Sequence, residues 1–147
     1  MRRLNWYLRR RARGKASEDY LEGWWLVFKQ ENERSGVDGY RTANARHILA
    51  MHLEEMGRYS DALPLRQTQF DLFTVNKGPE HADTLAGEMW LARTLMGVGE
   101  NLEAKRLLLE ARNTYSEKDG SDCEGVLRAD HFIAEVNLRI GSDSEDF

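Results

Sequence analysis

The chain has 147 residues, 41% hydrophobic and 31% charged, with a net charge of -4; this fits one soluble folded domain and excludes a disordered, apolar-poor chain. Its single cysteine, Cys123, excludes an internal disulfide framework and makes a reducing cytoplasm the expected compartment. No apolar run approaches the roughly 18 to 20 residues of a membrane-spanning helix, so a membrane is not among the expected partners.

The first 15 residues carry six Arg, one Lys and no acid, leaving -11 for the remainder. Leu4, Tyr7 and Leu8 recur there at helical spacing, which predicts a basic amphipathic helix. The bias is shared with mitochondrial presequences, but a basic helix is the simpler reading. Arg9, Arg10, Arg11 and Arg13, interleaved with Trp6 and Tyr7, are the residues through which the chain would contact nucleic acid, since the acidic remainder repels phosphate. The more economical role for these arginines is to face acidic surface, including the Asp143, Glu145 and Asp146 tail.

The next predicted helix carries Tyr20, Leu21, Trp24, Trp25, Leu26, Val27 and Phe28, more apolar surface than one core stripe requires. The basic helix is the expected cover, with Arg stems over the indoles. The alternative is that Trp24 and Trp25 form an interface with another subunit, as in a homodimer.

From Thr42 onward the sequence repeats with a period of 42: Thr42 recurs as Thr84, Leu49-Ala50 as Leu91-Ala92 and Ile133-Ala134, Gly57 as Gly99 and Gly141, and Ala62 as Ala104. Stepping back one period places Leu21 under Leu63, Phe28 under Phe70 and Gly36 under Gly78. A period of this size marks a repeat architecture. Its apolar spacing within each unit, as in Leu49, Leu53 and Met56, predicts two helices per unit.

The expectation is therefore an all-α solenoid of about 3.5 helix-turn-helix units and seven helices, in a single domain: a degenerate unit 1–41, then 42–83, 84–125, a half-unit 126–141 and an acidic tail 142–147. Ser60 and Asp83 or Thr84 are the expected helix N-caps, Gly57 and Gly99 the expected closures, and Pro64 is placed in a first turn. Ala50, Ala92 and Ala134, with Ala62 and Ala104, are expected where helices approach closely. Phe132, Val136 and Ile140 of the half-unit lack a following helix, so that end is either a cap or an interface that docks onto another surface.

The stretch from Gly57 to Ala92 carries a more specific signal: Gly57-Arg58-Tyr59, Asp61-Ala62-Leu63-Pro64-Leu65, Gly78-Pro79-Glu80-His81 and Asp83-Thr84-Leu85-Ala86. It resembles the repeat-to-repeat junction of the tetratricopeptide repeat, in the 42-residue form found in kinesin light chains. The resemblance implies a right-handed superhelix whose concave face, lined by the first helix of each unit, holds a protein or peptide partner. Carried onto this sequence, the groove comprises Asn44, His47, Met51 and Glu54, then Met89, Arg93 and Met96, then Arg128, His131 and Glu135.

No Gly-rich phosphate loop, H-E-x-x-H, G-x-S-x-G or cysteine pair is present, so no catalytic residue, metal ligand or cofactor site is assigned. His81 and Asp83 fall in the repeat junction, where turn and cap roles explain both. The sequence reading is a binding adaptor or scaffold, not an enzyme, with an accessory nucleic-acid-binding protein as the alternative.

Overall fold

A computed structural model describes residues 14–145, with side chains over 18–142. Its elements are all helical: α1 Gly14–Ser35, α2 Tyr40–Glu55, α3 Tyr59–Lys77, α4 Ala82–Gly97, α5 Asn101–Asp119 and α6 Glu124–Glu145. Six helices thus stand among the described residues where seven were expected; the expectation of a helix over Leu4, Tyr7, Leu8 and Arg9 to Arg13 falls on residues outside those described. The starts of α2, α4 and α6 fall 42 residues apart, as do those of α3 and α5.

The turns explain this spacing. Gly36, Gly78 and Gly120 close the longer helices at φ of 77°, 93° and 92°, and Gly57 and Gly99 close α2 and α4 at 75° and 87°. At Gly57 and Gly99 this conformation lets the following N-H bond back to the helix, Arg58 to the Leu53 carbonyl and Glu100 to that of Leu95, and at all five positions glycine adopts a positive φ without a Cβ penalty. Gly141 shares the period but not the role, because α6 runs through it to Glu145.

The expected caps differ in detail. Ser60 lies inside the first turn of α3, whose cap position is Arg58, with no side-chain cap bond. The cap of α4 is His81, whose Nδ1 accepts from the Asp83 backbone N-H at 3.0 Å. Thr84 instead donates its hydroxyl to the carbonyls of Phe73 and Gly78. Pro64 lies inside α3, beyond the four donors that a helix start leaves free.

Packing runs between helices adjacent in sequence, with a small further contact between α4 and α6, the one-dimensional pattern of a solenoid. One apolar cluster joins Leu21, Leu49, Ala50, Leu53, Ala62 and Leu65. A second joins Met89, Leu91, Ala92, Met96, Ala104, Leu107, Leu108, Ala111, Ala129 and Val136. The alanines at 50, 62, 92 and 104 are at most 1% exposed, as close helix approach requires. Ala134 is exposed instead, because no described helix follows α6.

Candidate functional site

Met51, Glu54 and Glu55 of α2, Trp90, Arg93 and Met96 of α4, and Glu135 and Arg139 of α6 line one cleft of about 370 Å³, which Tyr59 of α3 also borders. The period places these residues together: Met51, Arg93 and Glu135 are one repeat position, and Glu55, Gly97 and Arg139 another. Three first helices thus present the same face to one space.

At the centre, the Arg93 guanidinium rests on two rings, 5.0 Å from the Trp90 centroid and 4.9 Å from that of Phe132. Each such contact contributes about 0.5 to 1 kcal/mol at an exposed site. Together they restrain a long side chain that is otherwise exposed. Among the described residues no carboxylate pairs with it, so its donor fork stays open to a ligand.

Behind Trp90 lies a buried polar network. Arg66, 2% exposed, donates from Nε to Glu54 Oε1 at 2.5 Å and from Nη2 to Oε2 at 3.2 Å. Its third donor meets His47 Nδ1 at 2.7 Å, and its guanidinium lies 4.5 Å from the Trp90 centroid. Thr94 donates to Glu54 Oε1 at 3.1 Å. Burial, and then the adjacent Arg66 cation, hold the His47 imidazole below its usual pKa, so its neutral form accepts a hydrogen bond from the arginine N-H. The bidentate pair joins α2 to α3, and the Thr94 hydroxyl adds α4, behind the cleft.

The ten residues assigned to the groove therefore separate. Met51, Glu54, Arg93, Met96 and Glu135 line the cleft, but Met96 is 3% exposed and Glu54 is engaged by Arg66. His47 borders an adjoining cavity of about 160 Å³ with Arg66 and Trp90. Met89, 3% exposed, belongs to the core. Asn44, Arg128 and His131 stand outside the cleft lining, with Arg128 donating to Glu124 at 2.6 Å.

The proposed end surface is also rearranged. Val136 is fully buried in the second cluster, and Phe132 and Ile140 pack partly against it. The bare apolar positions of α6 are Leu127 and Leu138, 61% and 75% exposed. Trp24 is half-buried against the first cluster, while Trp25 is 40% exposed. Arg9, Arg10, Arg11 and Arg13 lie outside the described residues.

Trp90 and Arg139 were missed by the sequence reading. Trp90 shares its repeat position with Ile48 and Phe132, and Arg93 follows one turn later, which is the signal of a stacked arginine. Arg139 reaches the cleft because α6 continues; it donates to the Met96 carbonyl at 3.2 Å and to Glu135 at 3.4 Å. Among the described residues no group of His, Cys, Asp or Glu is arranged to hold a metal, and no helix is long and apolar enough to cross a membrane.

No family model and no curated protein matches the chain. Among solved structures it is similar to a putative kinesin light chain of nearly identical TPR-like repeats from Podosopora anserina, at 20% identity and a TM-score of 0.75. A point-substituted form of that protein gives 21% identity and a TM-score of 0.76. Each comparison covers 93% of this chain and 65% of the other, so the chain spans less than two thirds of their length. At this identity the likeness establishes the fold, a solenoid of tetratricopeptide-like helix pairs.

Proposed function

We propose, on the premise of this tetratricopeptide-like fold, that the chain is a non-catalytic scaffold whose cleft holds an extended segment of a protein partner. In this reading the helix pairs follow the units 42–83 and 84–125, the half-unit 126–141 adds one further helix, and the stack winds as a right-handed superhelix with α2, α4 and α6 forming the inner wall. The observation that supports it most is Arg93, held on Trp90 and Phe132 with no acidic partner of its own among the described residues, at the centre of a cleft spanning three helices. An acidic side chain of the partner completes that arrangement, and Met51 adapts to its apolar neighbour. A cytoplasmic setting and self-association belong to the same proposal. The nucleic-acid alternative rests on Arg9 to Arg13, and no described feature favours it.

The test is capture from native lysate by the full chain at low and high salt, with nuclease in parallel, for wild type, Arg93→Glu and Trp90→Ala. A partner protein that survives nuclease and is lost with either variant, at unchanged melting temperature, supports the cleft. Equal capture by both variants overturns it.

A further inference from the structure

A second cavity, of about 260 Å³, opens between α2 and α3 away from the cleft. Ala43 and Arg46 of α2, Leu72 and Phe73 of α3, and Asp38 in the turn before α2 contribute to its walls. Its distinctive member is Arg46, only 1% exposed. Arg46 Nη1 donates to Gln69 Oε1 at 2.9 Å and Nη2 to the Val37 carbonyl at 3.0 Å, while the guanidinium lies 5.6 Å from the Phe28 centroid. Both acceptors are neutral. Among the described residues no carboxylate reaches ion-pairing distance; Asp38 stands nearby, accepting from Asn76 Nδ2 at 3.2 Å.

A buried cation is normally matched by an anion, because removal from water is costly unless the charge is paired. Arg66, equally deep, satisfies this rule through its contact pair with Glu54; Arg46 has only the longer-range field of Asp38 and no contact pair among the described residues. The next repeat supplies an internal comparison. One period on, Ala43 is replaced by Leu85, which is 1% exposed, Arg46 by Glu88, and Gln69 by Ala111. The position that a buried leucine takes in one unit is in the other an alanine lining open space, beside a buried guanidinium.

We propose that this cavity binds a carboxylate carried on a small apolar body, with the carboxylate on Arg46 and the hydrocarbon against Ala43, Leu72 and Phe73. The volume lies just below the roughly 300 to 1,000 Å³ of common ligand sites, so the ligand is the size of one arylalkanoic acid. Two sources share that chemistry, a free organic acid and the terminal residue of a peptide. The site is independent of the cleft.

The experiment is an NMR titration of the full chain labelled at alanine methyls and arginine Nε, using 3-phenylpropionate, its amide, and N-acetylphenylalanine. Saturable shifts at Ala43 and Arg46 with 3-phenylpropionate, and binding about tenfold weaker or worse for the amide, are expected. Stronger binding of N-acetylphenylalanine supports the site with a peptide terminus as source, and stronger binding of 3-phenylpropionate supports it with a free acid as source. Ala43→Leu, which copies the next repeat, is expected to abolish the shifts at unchanged melting temperature. Absence of saturable shifts with both acids, equal binding of the amide, or undiminished binding by a folded Ala43→Leu chain overturns the proposal.

Discussion

Gly97 ends α4 against the ring of Tyr59, where a β-carbon would stand 2.3 Å from ring atoms. A methyl group there must displace an aromatic side chain that borders the cleft. Gly97→Ala is therefore expected to lower stability by about 1 to 3 kcal/mol, measured by urea denaturation, and to shift the Tyr59 ring resonances. The neighbouring Gly99 differs: a β-carbon would meet nothing within 4 Å, but φ is 87°. Gly99→Ala loses stability through backbone conformation, about 1 kcal/mol, with Tyr59 undisturbed. The periodic position of Gly99 revealed its role in the sequence. Gly97 carried no such signal, since its constraint is a contact with a residue 38 positions away. The same distinction separates Arg93, whose repeat position with Met51 and Glu135 was legible, from the Trp90 and Phe132 rings that hold it.

Between α4 and α5 a buried acid sets a pH dependence. Glu88 is 6% exposed and shares a hydrogen bond with Glu110; burial first, then that neighbour, push its carboxyl up to about 8 from an ordinary 4.5. The folded chain keeps this proton where the unfolded chain releases it. Stability contributed by the protonated pair is fully present below about pH 4.5 and is lost as the pH rises toward 8. Glu88→Gln is expected to flatten that decline in melting temperature across this window. A decline as steep as wild type would place its origin elsewhere. Within α3, Pro64 removes a donor from the helix interior. Pro64→Ala is expected to raise stability by up to about 3 kcal/mol, read by calorimetry. Helix type and turn placement were legible from period and glycine; the cap at His81 was not, because histidine is an uncommon cap whose role depends on the tautomer presented to Asp83.

At the scale of the whole chain, each repeat covers its predecessor, and the two ends test that logic. Ala92, fully buried between neighbouring helices, is expected to refuse bulk: Ala92→Trp should cost about 1 to 3 kcal/mol or more in chemical denaturation. Leu138, 75% exposed on α6, should accept Leu138→Lys within about 0.5 kcal/mol by the same measurement. Met96, its counterpart one period earlier, is 3% exposed beneath the stack. The sequence by itself determined the helical class, the 42-residue period, the turns at Gly57 and Gly99 and the contacts of Ala50, Ala62, Ala92 and Ala104, because these follow from local conformational preference repeated along the chain. Only the tertiary structure decided which periodic residues face inward and which face solvent. Met89 and Val136 entered the core, Leu127 and Leu138 were left bare, and Arg46 and Arg66 were buried at equal depth with different partners. Equivalent positions share a helix face, but burial also depends on the helix that follows, and that neighbour is a property of the assembled stack.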